Sequence, residues 1–110
     1  MAANSSPEVK AITIRTHDLM LALSNEPLGV AGILLGRGFI SGEIMSKMLV
    51  VSYTPNEKAT ILIEAARNKV ELAPSKFPEL LEILSDQACA KEVVESLRST
   101  YQSELISLTY

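Results

Sequence analysis

The chain has 110 residues, a formal net charge of −3 and interspersed acidic and basic side chains. This length fits one domain, and the composition excludes the basic surface that nucleic acids and anionic membranes require. One cysteine and one histidine exclude an intrachain disulfide and a structural zinc site, so we expect no metal and no cofactor. With no readable signal peptide and only a short apolar run at residues 28–35, the sequence predicts a soluble, cytoplasmic domain.

The first helix is predicted to begin at Pro7, because proline is tolerated at the first helical position. Residues 9–15 are ambiguous, since their β-branched side chains also suit a strand. Thr16 is expected to act as the N-cap of a second half over residues 17–24, which breaks the first helix near this threonine.

A second helix is predicted from Pro27 to the glycine-containing stop at residues 36–38. Ser41 is expected to cap a third helix that runs through Leu49. The residues that follow, 50–53, again have a strand-like composition.

The strongest local signal is the Thr54-Pro55-Asn56-Glu57 motif. A threonine N-cap, a proline at N1 and a glutamate at N3 form a capping box, in which two backbone donors are satisfied reciprocally. A long helix is expected from here to about Glu71. Its predicted inner side consists of Ile61, Leu62, Ala65, Ala66, Lys69 and Val70.

Pro74 is predicted to end that helix, and Ser75 to cap the fifth. Apolar residues at helical spacing then predict one buried face, made of Phe77, Leu80, Leu81 and Leu84. The last helix is expected to begin near Gln87. Its apolar stripe comprises Val93 or Val94, Leu97, Tyr101 and Leu105.

These segments predict an all-α fold, an antiparallel six-helix bundle joined by short connections. We expect a flexible N-terminus at residues 1–6, the folded domain at residues 7–106 and a C-terminal end at residues 107–110.

Residue types that carry out catalysis are scarce, and we expect the protein not to be an enzyme. His17 and Cys89 are far apart in sequence and lack an orienting partner, which favours a partly exposed histidine and a small buried thiol. The glycines at residues 29–38 do not follow a buried strand, so they do not indicate a phosphate loop. We expect them instead to let a neighbouring helix approach closely. Glu79 and Glu82 can share a helical face, and such pairs are usually solvated.

The order of the segments resembles that of caspase-recruitment domains (CARDs). In residues 54–84, a long helix with an Ala/Leu-rich inner side leads to a Phe-x-x-Leu-Leu-x-x-Leu helix, as in that family. The segment Phe39-Ile40-Ser41-Gly42-Glu43-Ile44-Met45 resembles the family's preceding element. A first helix broken into two halves is also typical of the family. The resemblance covers roughly residues 9–105 and rests on hydrophobic patterns.

The resemblance implies the Greek-key-like six-helix bundle of the death-fold superfamily. The sibling death, death-effector and pyrin domains share this bundle. The Arg-x-Asp-Leu-type motif expected late in death-effector domains is missing from residues 90–105, which weighs against that sibling.

The function implied is homotypic interaction with other death-fold domains, either copies of this chain or different proteins, in signalling assemblies of the apoptotic or innate-immune type. Charge complementarity would guide the contacts, and head-to-tail contacts that do not close would extend into a filament. No nucleic acid and no membrane is expected among the partners. The candidate basic contributors are Lys10, Arg15, Lys58, Arg67 and Lys69. The candidate acidic contributors are Asp18, Glu26, Glu43, Glu57 and Glu64.

Two alternatives remain open at this point. One is a structural dimerisation bundle whose association closes as a pair. The other is a helix-turn-helix module that uses residues 41–51 as its recognition helix, although Glu43, Ser46 and Lys47 are poorly suited to reading base edges.

Overall fold

The computed structural model describes residues 6–109, and their side chains as far as residue 107. Seven α-helices and two 3-10 turns make up this range, in which no strand occurs. The 3-10 turns are Pro74–Lys76 and Ala88–Ala90. The helices are α1 (Pro7–Ile14), α2 (Thr16–Leu23), α3 (Pro27–Gly36), α4 (Gly42–Lys47), α5 (Pro55–Leu72), α6 (Phe77–Ser85) and α7 (Lys91–Thr109).

The predicted break in the first helix lies at Arg15, between α1 and α2. The sequence predicted that Thr16 caps the second half, and this prediction is wrong. Thr16 is the first residue of α2, and its hydroxyl donates a hydrogen bond of 3.0 Å to the carbonyl of Ile12. Thr13 donates to the carbonyl of Val9 in the same way. Such bonds from a hydroxyl to the carbonyl four residues earlier bend helices, which accounts for the break.

The strand-like composition of residues 9–15 and 50–53 does not produce strands. The first segment belongs mainly to α1, since Ser6 caps that helix by accepting a hydrogen bond of 3.2 Å from the amide of Val9. The second segment forms a turn and a bend before α5. In both places the surrounding helices determine the conformation more strongly than the local propensity does.

The third predicted helix is shorter than expected. Ser41 caps α4 as predicted, accepting a hydrogen bond of 3.2 Å from the amide of Ile44. The helix ends at Lys47 instead of Leu49, because the amide of Met48 bonds three residues back to Met45 and tightens the last turn. This turn buries the Met48 side chain and leaves Leu49 exposed.

The capping box at the start of α5 is confirmed. The Thr54 amide donates to Glu57 Oε1 at 2.9 Å, and the Glu57 amide donates to Thr54 Oγ1 at 3.1 Å. The prediction that Ser75 caps the next helix is wrong. Ser75 lies inside the 3-10 turn that runs directly into α6, and Lys76 occupies the N-cap position, where its side chain makes no capping hydrogen bond.

The last helix begins at Lys91 instead of Gln87, because the 3-10 turn Ala88–Ala90 precedes it. It continues through Thr109, past the predicted domain end at residue 106. The other predicted end, residues 1–6, is described only at Ser6, which caps α1. Residues 1–5 and Tyr110 lie outside the described residues.

The core is formed by apolar side chains from helices throughout the bundle. Helix α1 packs against α5 and α7, α2 packs against α5, and α6 packs against α7. The ring of Phe77 lies 4.8 Å from that of Tyr101, centroid to centroid, and joins α6 to α7. All four residues of the predicted α6 face are buried. The described chain is therefore a compact all-helical bundle, with a Cα radius of gyration of 13.5 Å.

Candidate interaction surfaces

Arg15 lies at the break between α1 and α2, where it contacts the last helix of the bundle. Its Nε donates a hydrogen bond of 2.7 Å to Oγ1 of Thr100 on α7, and its Nη1 lies 3.2 Å from Oδ2 of Asp18. Thr100 is buried, and its hydroxyl donates to the carbonyl of Ser96. Two of the predicted contact residues, Arg15 and Asp18, are thus brought together. The guanidinium of Arg15 is half-exposed, but it also makes a hydrogen bond that connects two elements of the bundle.

Glu57, another predicted contact residue, is held by the capping box of α5. Its carboxylate accepts the Thr54 amide hydrogen, which α5 itself cannot satisfy. The residue is exposed, but part of its bonding capacity stabilises the start of the helix.

The other predicted charges on α5 lie on different sides of the helix. Lys58 and Lys69 are separated by about three full turns and share one side, whereas Arg67 is about two and a half turns from Lys58 and lies on the opposite side. All three are half-buried, while Glu64 is exposed. The basic residues of α5 therefore flank the buried face on both sides.

The remaining predicted contact residues belong to three other elements. Lys10 is half-buried on α1, Glu26 directly precedes α3, and Glu43 is exposed in the first turn of α4. A carboxylate at each of these helix starts is favoured by the helix dipole. All ten predicted residues thus lie on or directly beside α1 to α5.

A charge cluster joins the end of α3 to α6, and the sequence did not predict this interaction. Arg37 Nη1 lies 2.9 Å from Glu79 Oε2, and its Nη2 lies 3.6 Å from Glu82 Oε1. Lys76 Nζ lies 3.2 Å from Glu79 Oε1. Hydrogen bonds from Lys76 and then from Arg37 lower the pKa of Glu79. The spacing of the two glutamates was a visible signal, but their partner Arg37 is distant in sequence.

The sequence offered Cys89 and His17 as candidate chemical groups, and they lie on the second 3-10 turn and on α2. Burial raises the pKa of the Cys89 thiol, and the negative charge of Glu26 adds to this effect, so both disfavour the thiolate form. His17 is exposed on α2. Within residues 6–109, no group of three histidine, cysteine or carboxylate side chains converges in a way that suits a metal ion.

An open groove lies between α2 and the start of α5. Its volume is about 470 Å³, and it is lined by Met20, Tyr53, Asn56, Glu57, Thr60 and Ile61. Glu57 is the charged residue of this lining and already takes part in the capping box. The groove is a shallow, mainly apolar depression in the surface.

Helix α3 presents an uncovered apolar surface. Its inward side is formed by Val30, Ala31 and Leu34, which are buried. The opposite side, called here the apolar α3 face, consists of Leu28, Gly29, Gly32, Ile33, Leu35 and Gly36, all of which are exposed. No side chain of α3 is polar, although about half of the helix faces outward.

The glycines of the apolar α3 face do not have the role predicted from the sequence. A Cβ atom built at Gly32 or Gly36 meets no atom within 4 Å. The expectation that these glycines let a neighbouring helix of the same chain approach is therefore wrong for the described residues. Near Gly29, such an atom would lie 3.3 Å from Glu26 Oε2, so the carboxylate of Glu26 is at the N-terminal edge of this face.

Among the described residues, no single helix has the length and apolarity needed to cross a membrane; α2 and α3 meet these criteria only as a pair, bent by 106°. Comparisons with protein-family models, curated proteins and solved structures found no match to this chain.

Proposed function

We propose that this chain is a homotypic interaction module of the death-fold type, similar to CARDs, and that it catalyses no reaction. It would act as an adaptor in cytoplasmic signalling assemblies of the apoptotic or innate-immune kind. Its partners would be other death-fold domains, including further copies of itself.

The observation that supports this proposal is the order and capping of the helices. A first helix broken at Arg15 is followed by two short helices, then by the long, box-capped α5 and by α6, whose Phe77, Leu80, Leu81 and Leu84 all face the core. The same succession carried the resemblance in the sequence. If α1 and α2 are counted as the halves of one helix, the number of helices is six, the number that the proposed death fold requires.

Charged side chains on α1 to α5 would guide the association. Individual surface ion pairs contribute only about 0–1 kcal/mol, so a single contact would be weak. Several contacts per subunit, repeated head to tail in an open arrangement, add together and produce assembly above a threshold concentration. Charge complementarity would select the faces that meet, and salt would weaken the assembly by screening.

The contacts within the chain narrow the choice of residues for a test. Replacing Arg15 would break the hydrogen bond to Thr100, and replacing Glu57 would break the capping box, so either change would alter stability as well as binding. Arg67 has no such role in a described contact between helices, and its guanidinium can bind a carboxylate through two donors. It is the most informative residue to reverse.

The test is light scattering coupled to size-exclusion chromatography, over a concentration series at low and high salt, followed by negative-stain imaging. We expect salt-sensitive growth into filaments, and we expect Arg67→Glu to raise the threshold concentration by roughly tenfold. Arg98→Glu, which reverses an exposed charge on α7, is the matched control and should leave the threshold unchanged.

Other outcomes have clear meanings. A strict monomer under all conditions would contradict self-assembly, and a hetero-partner would then be the remaining form of the proposal. If Arg67→Glu and Arg98→Glu change the threshold concentration equally, net charge alone controls filament growth. The side of α5 that carries Arg67 would then have no specific role.

A further inference from the structure

The apolar α3 face is unusual because a whole helix without polar side chains lies at the surface. The exposed fractions are 48% for Leu28, 38% for Ile33 and 39% for Leu35. Single exposed apolar residues are ordinary, but here three of them surround glycines on one continuous side. No side chain of residues 6–107 covers this side.

The charges at the two ends of α3 are opposite in sign. Glu26 precedes the helix, and its carboxylate lies over the first turn, close to Gly29. Arg37 follows the helix. Its guanidinium carries five donors, enough to donate to a further carboxylate in addition to those of Glu79 and Glu82. The residues between these two ends, Pro27 to Gly36, carry no charge that would repel a second copy of the same helix.

We propose that a second copy of this chain packs its own apolar α3 face against this one, with the two α3 helices antiparallel and related by a two-fold axis. A two-fold contact is self-complementary, so each charge meets the opposite end of the partner helix. The α3 dipoles are also oppositely directed in this arrangement, which is favourable.

One register satisfies both the apolar and the charged residues. When the two-fold axis passes between Ala31 and Gly32, Leu28 of each copy lies opposite Leu35 of the second copy. The same register sets Glu26 opposite Arg37 of the second copy, at both ends of the contact. Gly32 then lies near the crossing point, where the absence of a side chain allows the two backbones to approach closely.

This pairing is distinct from the charge-guided, open association proposed above, and it does not depend on it. One helix face is smaller than the roughly 800 Å² per partner of a standard interface, so we expect weak pairing, with a Kd of roughly 10 µM to 1 mM. Because most of the contact is apolar, the dimer should persist at salt concentrations that suppress assembly through surface charges.

The first experiment is sedimentation velocity on the full chain at high salt, from roughly 10 µM to 1 mM. We expect a reversible monomer–dimer equilibrium that Gly32→Lys weakens by at least about tenfold. A Cβ atom at position 32 meets no atom of its own chain within 4 Å, so this variant should fold normally, as checked by circular dichroism. Leu72→Lys replaces a leucine that is 86% exposed on α5 and serves as the matched control.

A charge exchange, measured at low salt so that the charges are not screened, tests the register. Glu26→Arg alone and Arg37→Glu alone should each weaken the dimer, because each sets like charges together at both ends. Arg37→Glu also replaces the ion pairs to Glu79 and Glu82 with repulsion, so circular dichroism first establishes that this variant folds. An equimolar mixture of these two variants should form a heterodimer with opposite charges at both ends, and should recover pairing. Failure of the mixture to recover would overturn the antiparallel register.

Three results would overturn the pairing as a whole. One is a monomer at every concentration. Another is a dimer that Gly32→Lys and Leu72→Lys affect equally. The third is dimerisation that appears only after residues 1–5 are removed, which would make those residues the occupant of the face. The response of filament growth to Arg67→Glu is measured separately, so failure here leaves the proposed function to be decided by its own experiment.

Discussion

At the scale of single residues, some charged side chains that the sequence predicted to contact a partner also make hydrogen bonds within their own chain. Arg15 and Glu57 are partly used inside the chain, the first by Thr100 and the second by the amide of Thr54. A hydrogen bond that involves a charged group contributes more to stability than one between neutral groups. If replacing either residue abolishes assembly, the loss could therefore come from a weaker contact with the partner or from a less stable fold.

The hydrogen bond between Arg15 and Thr100 gives a prediction about stability. Thr100→Val keeps the side-chain shape close to the original but removes the acceptor for Arg15 Nε and the donor to the Ser96 carbonyl. We expect the free energy of unfolding to fall by about 1 kcal/mol. Urea denaturation measures it, and Ser99→Ala, at the exposed neighbouring position, is the control. Unchanged stability would show that water replaces this bond without cost.

Glu79 gives a prediction about pH. Its pKa lies below the ordinary value of 4.5, because Lys76 and then Arg37 donate hydrogen bonds to its carboxylate. A lowered folded-state pKa stabilises the fold above the unfolded-state pKa, and this contribution disappears as pH falls through the folded-state value. Between about pH 6 and about pH 3, the melting temperature should therefore fall more in the wild type than in Glu79→Gln. An equal fall in both proteins would contradict this prediction.

At the scale of the helices, the most reliable sequence signals were caps that act within a few residues. Ser41 and Thr54 were each expected to cap a helix, and each accepts a hydrogen bond from the amide three residues later. The Thr16 and Ser75 predictions failed for a related reason. A hydroxyl near a helix start can bond backwards, as in Thr16, or lie inside a 3-10 turn, as in Ser75, and composition alone does not distinguish these cases.

The capping box of α5 gives a prediction at this scale. Thr54→Ala removes the acceptor for the Glu57 amide and should lower the free energy of unfolding by about 1 kcal/mol. Thr60→Ala is the control, because the Thr60 hydroxyl bonds to a carbonyl within the helix, four residues earlier, and caps nothing. Chemical denaturation of both variants distinguishes the two roles. Equal losses would mean that the box does not stabilise α5.

At the scale of the whole molecule, the two proposed associations differ in symmetry and in driving force. Contacts guided by surface charge would be open and salt-sensitive, whereas pairing through the apolar α3 face would be closed and mainly apolar. If both occur, a paired molecule can carry two sets of charged faces, and pairing would increase the effective concentration for assembly. Gly32→Lys should then raise the filament threshold without changing its salt dependence.

The sequence by itself determined the features that depend on neighbouring residues. These are the helical segments, the caps at Ser41 and Thr54, and the inward side of α6, because helical periodicity and capping act over a few positions. The tertiary structure alone decided which charges are engaged, since Arg15 bonds to a residue 85 positions away and Arg37 to one 42 positions away. It also decided that one side of α3 stays uncovered. An all-apolar helix has no periodicity to show which side is buried, so only the packing of the other helices reveals its exposed face.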